Sequence, residues 1–427
     1  MKVLVLAAGR SKRMKPVEDK NFLEFLGKPL IQWQLESLKR NGLNDVIVVG
    51  GAHNLERLED AARGVFPDAQ VVEQENLDMG MCGAVLAARD VCVGPVLIFS
   101  SNDVVDDEAF KLIADASEGN EEGYILGKKV DEYFPGGYLK IDDGLISGIV
   151  EKPEPGAEPS DMVNLVVHYH RDYARLVQYL ENAKSGQDDV YEVALTNMIN
   201  DGVKMKAVEY SGYWQPIKYP WHVKPVFDYY FSKSEKGVSD SASIADSAVI
   251  KGDVIIEDNV KIFEGAVVNG PAYLGKGCIV ANNALVRDSH LGKGCVIGYS
   301  TEVARSFLGN DVWTHSNYVG DSVIGNNVSF GAGTVTGNLR LDEKDIYDGI
   351  KKFGLVTGDN IRVGVNTSFM PGVKVGSDSF IGAGIVVAKN IDEKSFVRGE
   401  WNLKISENKA SVDPKGRDEI KNKLNNG

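Results

Sequence analysis

The residues best suited to chemistry fall into two groups. The first begins where an apolar run, residues 2–8, gives way to Gly9-Arg10-Ser11-Lys12-Arg13-Met14, and continues in order through Lys20, Gly27-Lys28-Pro29, Asp103 and Glu151-Lys152-Pro153. A glycine loop at the end of a buried strand offers backbone N–H groups to an anion, and neighbouring cations add to that. Taken singly these residues have plainer readings: the loop is a structural turn, Arg13 and Lys20 are solvated charges, and Asp103 caps a helix predicted over 106–116. Their order along the chain is what argues for phosphate chemistry. The second group is His315 with Tyr318, then Gly320-Asp321, Gly331-Ala332-Gly333-Thr334 and Gly337-Asn338. A lone histidine is ordinarily a surface residue, but histidine is also the side chain whose ordinary pKa lies nearest neutrality, which suits it to proton transfer.

The elements that must position these groups differ between the halves. In the first half, strands predicted over 2–8, 46–49 and 96–99 alternate with helical stretches, among them 29–41. This predicts a doubly wound, Rossmann-like α/β sheet with ligands beyond the C-terminal ends of its strands. In the second half, Ile244, Ile250, Ile256, Ile262, Val268, Leu274, Val280 and Val286 recur six apart, and Val363, Phe369, Val375, Ile381 and Val387 resume the register. A period of six fits neither a helix nor a simple strand; it is the repeat of a β-solenoid. Gly, Asn and Asp between the corners tolerate the turns that bend each coil. An all-β left-handed parallel β-helix of hexapeptide repeats, of roughly eight or nine coils, therefore follows the α/β domain. Its period breaks over 338–353, and insertions in solenoids commonly carry function. The expected boundaries are a nucleotidyltransferase-like domain over 1–231, a linker over 232–238, the β-helix over 239–400 and a polar tail over 401–427.

Composition narrows the partners. The chain of 427 residues has a net charge of −14 and no basic run, which excludes nucleic acid as a main partner. Cys82, Cys92, Cys278 and Cys295 show neither metal-ligand nor disulfide spacing, as expected of a reducing cytoplasm. No segment is long and apolar enough for a signal sequence or a membrane span, so no membrane association is expected.

The run from Leu6-Ala-Ala-Gly9 through Arg13-Met14, Lys20 and Gly27-Lys28-Pro29 resembles the signature loop of sugar-1-phosphate nucleotidyltransferases, in the uridylyltransferase branch that makes UDP-N-acetylglucosamine. The resemblance implies nucleotide binding at Leu6, Ala7, Gly9, Gln74 and Gly80, with Gln74 or Glu75 reading the base. It implies catalytic roles for Arg13 and Lys20, Mg²⁺ at Asp103, and sugar-phosphate binding at Glu151 and Asn164. Several family positions are changed: Ser11, Asn102, Leu139 and Val166 replace glycines, Met81 replaces threonine, and Pro216 stands where a metal-binding aspartate is usual.

His315, Tyr318, Ala332 and Asn338, with Lys344 and Phe369-Met-Pro-Gly372, resemble the acetyltransferase half of bifunctional GlcNAc-1-phosphate uridylyltransferase/glucosamine-1-phosphate N-acetyltransferases, particularly the archaeal form. The resemblance implies that His315 removes the proton from the amino sugar and that Asn338 orients the reacting groups. It also implies that Tyr318, Lys344, Arg287 and Arg305 bind the sugar phosphate, and that Ala332 and Ala383 line the path of coenzyme A. Acetyl-CoA, a nucleoside triphosphate and a hexosamine-1-phosphate are the implied substrates, and a homotrimer or a multiple of it the implied assembly. Two other readings compete with a bifunctional enzyme: an acetyltransferase whose nucleotidyltransferase half is degenerate or altered, and a non-catalytic trimeric scaffold.

Overall fold

A computed structural model describes residues 1–186, 189–400, 404–413, 415 and 417–425. The expected tail, 401–427, thus lies partly outside the described residues; within it Asp418–Asn425 is a helix. The first half is built on a nine-stranded sheet. Its main path runs Leu145–Glu151, Gly137–Asp142, Met162–His170, Val96–Ser100, Lys2–Leu6, Asp45–Gly50 and Gln70–Glu73, with Gly123–Lys129 paired to Met162–His170 and Met205–Glu209 paired in turn to Gly123–Lys129. Lys2–Leu6 lies parallel to both Asp45–Gly50 and Val96–Ser100, whereas Met162–His170 is antiparallel to Val96–Ser100. The interiors of Lys2–Leu6, Asp45–Gly50 and Val96–Ser100 are apolar because both faces are covered, one by the core of Val3, Val5, Ile31, Leu35 and Phe110, the other by that of Leu4, Ile47, Val85, Ile98 and Leu176. A register shift between Asn164 and His168 lets the strand Met162–His170 leave one neighbour for another.

The second half is a left-handed parallel β-helix with three faces. One face stacks Ser243–Ile244, Lys261–Ile262, Ile279–Val280, Val296–Ile297, Trp313–Thr314, Ser329–Phe330, Arg362–Val363, Phe380–Ile381 and Phe396–Val397. The inward residues Ile262, Val268, Leu274, Val280, Val286, Val363, Phe369, Val375, Ile381 and Val387 are buried, as the six-residue period predicts. Left-handed backbone at Asn259, Asn283, Asp311, Asn327, Asn360 and Asp378 turns the coils. The repeat continues through the stretch where the strict period is not visible. Leu285–Leu291 pairs with Val267–Leu274 but rounds the corner with one residue fewer, since Arg287 faces Asn269 while Ser289 faces Ala272.

The two halves share one core. On the face toward the first domain, Tyr273, His290 and Phe307 form a ladder of stacked rings, with centroids 4.8 Å and 4.3 Å apart. Phe25, Phe227 and Tyr230 pack into the same cluster. Each such ring contributes roughly 1.5–3 kcal/mol on full burial, so the domains are docked firmly. The Leu26 N–H donates to His290 Nε2 at 3.1 Å. At Gly27, φ is +73° and a Cβ would stand 2.9 Å from the Tyr273 hydroxyl, so a larger residue would push the domains apart. The insertion over 338–353 folds back on the junction, where Tyr347 stacks on Trp221 at 4.7 Å.

Candidate functional site

A cleft of ≈ 840 Å³ opens beyond the C-terminal ends of Lys2–Leu6 and Val96–Ser100, and Leu6, Gly9, Arg13, Lys20, Gln74 and Gly80 all line it. Ala7 lies behind the loop. Its N–H is spent on Val49 O, and its carbonyl accepts from Asn21 and Asn54. Ser11 adopts the left-handed conformation, φ +52°, that favours glycine, and its Oγ accepts from Lys20 N–H at 3.2 Å. Gly80, with φ +54° and ψ −139°, opens the helix Gly80–Ala87. The Gln74 amide donates to Asn76 O and Gly80 O, both at 3.0 Å, and so fixes that turn. An Arg10–Asp78 ion pair of 2.6 Å spans the mouth. Lys28, in contrast, lies over Trp33 and pairs with Glu36.

Positive charge is concentrated in the cleft. Burial, with Arg13 and Lys218 beside it, pushes the Lys20 ammonium down to about 8 despite the opposing pull of Asp103 and Asp19. Lys218, not anticipated from sequence, also lines the cleft, and burial lowers its pKa. The Asp103 carboxyl is pushed up by burial, against Lys218, the Trp214 indole N–H at 3.3 Å, Lys20 and the Val166 N–H. Asp103 does not cap the following helix; Asp106 does, accepting from Glu108 N–H.

At the position expected for Mg²⁺, Asp103 is a single carboxylate. Pro216 stands directly opposite Asp103 in an antiparallel pair and offers no side-chain ligand. Among the described residues no cluster of three or more His, Cys, Asp or Glu could hold a metal ion. A single buried carboxylate, already bonded to N–H donors and facing two ammonium groups, does not fit an ion held by the protein itself.

Glu151 and Asn164 meet over Gly137, where a Cβ would lie 3.0 Å from Glu151 Oε2 and 3.5 Å from Asn164 Nδ2. Asn164 is anchored from behind by a buried chain that sequence reading missed: Oδ1 is 2.7 Å from His168 Nε2, His168 Nδ1 is 2.9 Å from the Tyr191 hydroxyl, and that hydroxyl is 3.2 Å from His170 Nε2. Burial pushes His168 down to about 3 and His170 to about 4, so both are neutral. With Asn164 Oδ1 as acceptor, each histidine carries its proton on Nε2 and Tyr191 donates to His168. The alternation of His168 and His170 on one strand face was the available signal.

The second group lies on the β-helix. His315 is exposed at the corner between Trp313–Thr314 and Tyr318–Gly320. Main-chain bonds from Gly333 to Ser316, from Asn366 to Ala332 and from Gly384 to Val365 stack successive corners, so Ala332 and Ala383 share the corner column of His315. The Asn338 amide donates to the Tyr318 hydroxyl at 3.1 Å and to Asp321, which holds Arg305 in a two-pronged pair at 2.7 Å. Asp321 pushes the Arg305 pKa up. Arg287 is held by Glu302, the in-register neighbour of Tyr318 on the adjacent coil. Lys344 is exposed on the inserted loop. Among the described residues no hydrogen bond joins the His315 ring to Tyr318 or Asn338. One chain therefore brings Tyr318, Asn338, Asp321 and Arg305 together and leaves His315 at an open edge.

Comparison with known proteins agrees with both halves. Residues 3–199 match the MobA-like NTP transferase domain model, and residues 234–352 match the GMPPB C-terminal domain model. The chain is 32% identical to the bifunctional sugar-1-phosphate nucleotidylyltransferase/acetyltransferase of Sulfurisphaera tokodaii, over 93% of this chain and 100% of that one. It is 30% identical to the bifunctional protein GlmU of Methanococcus maripaludis, over 95% of this chain and 99% of that one. For the GlmU protein of Methanocaldococcus jannaschii the identity is 29%, over 93% and 97%. With a cation-lined cleft and a cluster at the solenoid corner on one chain, and likeness running through both halves, the protein belongs to the family of bifunctional sugar-1-phosphate nucleotidylyltransferase/acetyltransferases.

Proposed function

We propose that this chain acetylates glucosamine-1-phosphate with acetyl-CoA and couples the resulting N-acetylglucosamine-1-phosphate to UTP. The observation that carries the reading is the presence of both reaction sets on one chain: Arg13 and Lys20 in the cleft, and His315 above Ala332 and Ala383 beside the Tyr318–Asn338 pair.

In acetyl transfer, the sugar ammonium loses a proton to His315. The freed amine attacks the thioester carbonyl, the C–S bond breaks, and the coenzyme A sulfur leaves with the electron pair and takes up a proton. Asn338 and Tyr318 orient the amino sugar, Arg305, Arg287 and Lys344 supply charge for its phosphate, and the small corner residues Ala332 and Ala383 leave room for pantetheine. Because His315, Trp313 and Tyr299 are exposed on one edge, a neighbouring solenoid completes the site in a homotrimer or a multiple of one.

In uridylyl transfer, a phosphate oxygen of the sugar phosphate attacks the α-phosphorus of UTP, which enters as its magnesium complex. The bond to the β-phosphate breaks, and pyrophosphate leaves with the electron pair. Arg13 and Lys20 neutralise the charge on the phosphoryl oxygens. Gln74 is buried in the cleft wall with its N–H groups committed to the loop, so its oxygen is left to accept from the base N–H; Glu75 is exposed. Glu151 and Asn164 hold the sugar. The free, buried cysteines suit a cytoplasmic protein.

The test is His315→Ala, with coenzyme A thiol and pyrophosphate measured separately. Thiol release should fall by roughly 10²–10⁴-fold while pyrophosphate release is kept. Thiol release at the parent rate would remove His315 from the reaction, and absence of pyrophosphate from the parent protein would favour an acetyltransferase with an altered first domain.

A further inference from the structure

The carboxylate position that Pro216 lacks has a neighbour of opposite charge. Trp214–Pro216 runs antiparallel to Asp103–Val105, setting Pro216 against Asp103, and two residues later Lys218 turns back toward the same carboxylate. The segment is pinned. His222 Nδ1–H donates to Pro216 O at 2.6 Å, Ile217 N–H donates to Asn102 O at 2.8 Å, and the Lys218 ammonium lies 4.6 Å from the centre of the Phe134 ring. Lys218 faces Asp103, Arg13 and the Glu151–Lys152 pair, whose own ion pair is 2.9 Å, and Lys20 faces Asp103, Asp19 and Arg13, so three cations, Lys218, Lys20 and Arg13, stand against two carboxylates, Asp103 and Asp19. Among the described residues Lys218 makes no ion pair, so its charge is not consumed by the protein. Cations thus outnumber carboxylates around Asp103 before any ligand arrives, which repels a free dication and attracts a triphosphate.

We propose that Lys218 is the resident cation of the nucleotidyl-transfer site: its ammonium contacts the phosphate oxygens of the nucleotide, taking the charge role for which Pro216 leaves no metal ligand, and the only divalent ion in the site is the one the nucleotide brings. Burial of the ammonium, which lowers its pKa, strengthens its attraction to an incoming anion. The proposal rests on reading the cleft as a nucleotide site, and its tests are binding measurements so that the two can fail separately.

The full-length protein is titrated with Mn²⁺ without nucleotide, free ion being followed by electron paramagnetic resonance. No saturable site should appear, whereas one tightly bound ion per chain would overturn the proposal. Calorimetry with UTP and Mg²⁺ should then show Lys218→Met binding about tenfold more weakly than the parent, with Lys218→Arg recovering part of the loss. If the parent releases pyrophosphate, Lys218→Met should slow it by roughly 100-fold and raise the Mg²⁺ concentration needed for half-maximal rate, changes that a purely structural lysine would not produce. Unchanged UTP affinity in Lys218→Met, with an unchanged melting temperature, would refute the role. Absence of UTP binding by the parent would overturn both this proposal and the nucleotide reading, whereas binding without turnover would leave the proposal standing and refute only the activity.

Discussion

Replacing His290 by phenylalanine should reduce the acid sensitivity of the protein. His290 is 1% exposed, sandwiched between Tyr273 and Phe307 where the domains meet, and burial pushes its pKa down to about 3 from an ordinary 6.5. The folded state therefore holds the neutral ring while the unfolded chain binds a proton below pH 6.5. The stabilisation is fully present above that value and is lost progressively as pH falls toward 3. At pH 5 the loss is about 2 kcal/mol, from 1.36 kcal/mol per unit over the interval below 6.5. Phenylalanine keeps the stacked ring but leaves the Leu26 N–H unpaired, at a cost of about 1–3 kcal/mol; Leu308 O still accepts from Gly292. His290→Phe should thus be less stable than the parent at pH 7.5, and the gap should close or reverse at pH 5. His168, His170 and His222 titrate in both proteins, so their effect cancels when the two are compared by denaturant unfolding at each pH. A gap of the same size at both pH values would refute the assignment of a buried neutral His290.

Lys20 gives a second pH dependence. Because its ammonium is held down to about 8, kcat/KM for the nucleotide should fall as pH rises through that value, and Lys20→Arg should flatten the profile; the same fall in the arginine variant would point to another group. Gly80→Ala places a side chain at φ +54° and ψ −139°. It should cost roughly 1–3 kcal/mol of local strain and raise KM for UTP without changing thiol release, a pattern that steady-state kinetics of both half-reactions would check. His168→Phe removes the group behind Asn164 and should raise KM for the sugar phosphate about tenfold, roughly one lost hydrogen bond, with KM for UTP unchanged. A parallel rise in both constants would instead indicate a general loosening of the domain.

Much of the fold could be read because it rests on local regularities. The six-residue aliphatic register marks inward positions wherever a coil has eighteen residues, and the alternation of strands and helices marks the first sheet. The register disappears after Val286 because the corners tighten: Val286 pairs with Val303 and Leu291 with Leu308, so steps of five replace steps of six. The ladder Tyr273, His290 and Phe307 was hidden for the same reason, since only the shortened coils bring those rings into line. In the cleft, the lining residues near the first loop lie close together in the chain, but the relation of Asp103 to Pro216 and Lys218 depends on pairing between segments far apart in it. Asn164 stands out by its motif, yet its support by His168 and Tyr191 depends on a bulge and a packed helix that no local pattern announces. The exposed edge at His315 follows from which faces of the prism the first domain covers.

The central claim, that one chain performs both transfers in sequence, is tested most directly by supplying the purified protein with glucosamine-1-phosphate, acetyl-CoA, UTP and Mg²⁺ and following products by mass spectrometry. UDP-N-acetylglucosamine should accumulate with one coenzyme A thiol and one pyrophosphate released per molecule formed. Thiol release that yields only N-acetylglucosamine-1-phosphate, or no turnover of either kind, would contradict it.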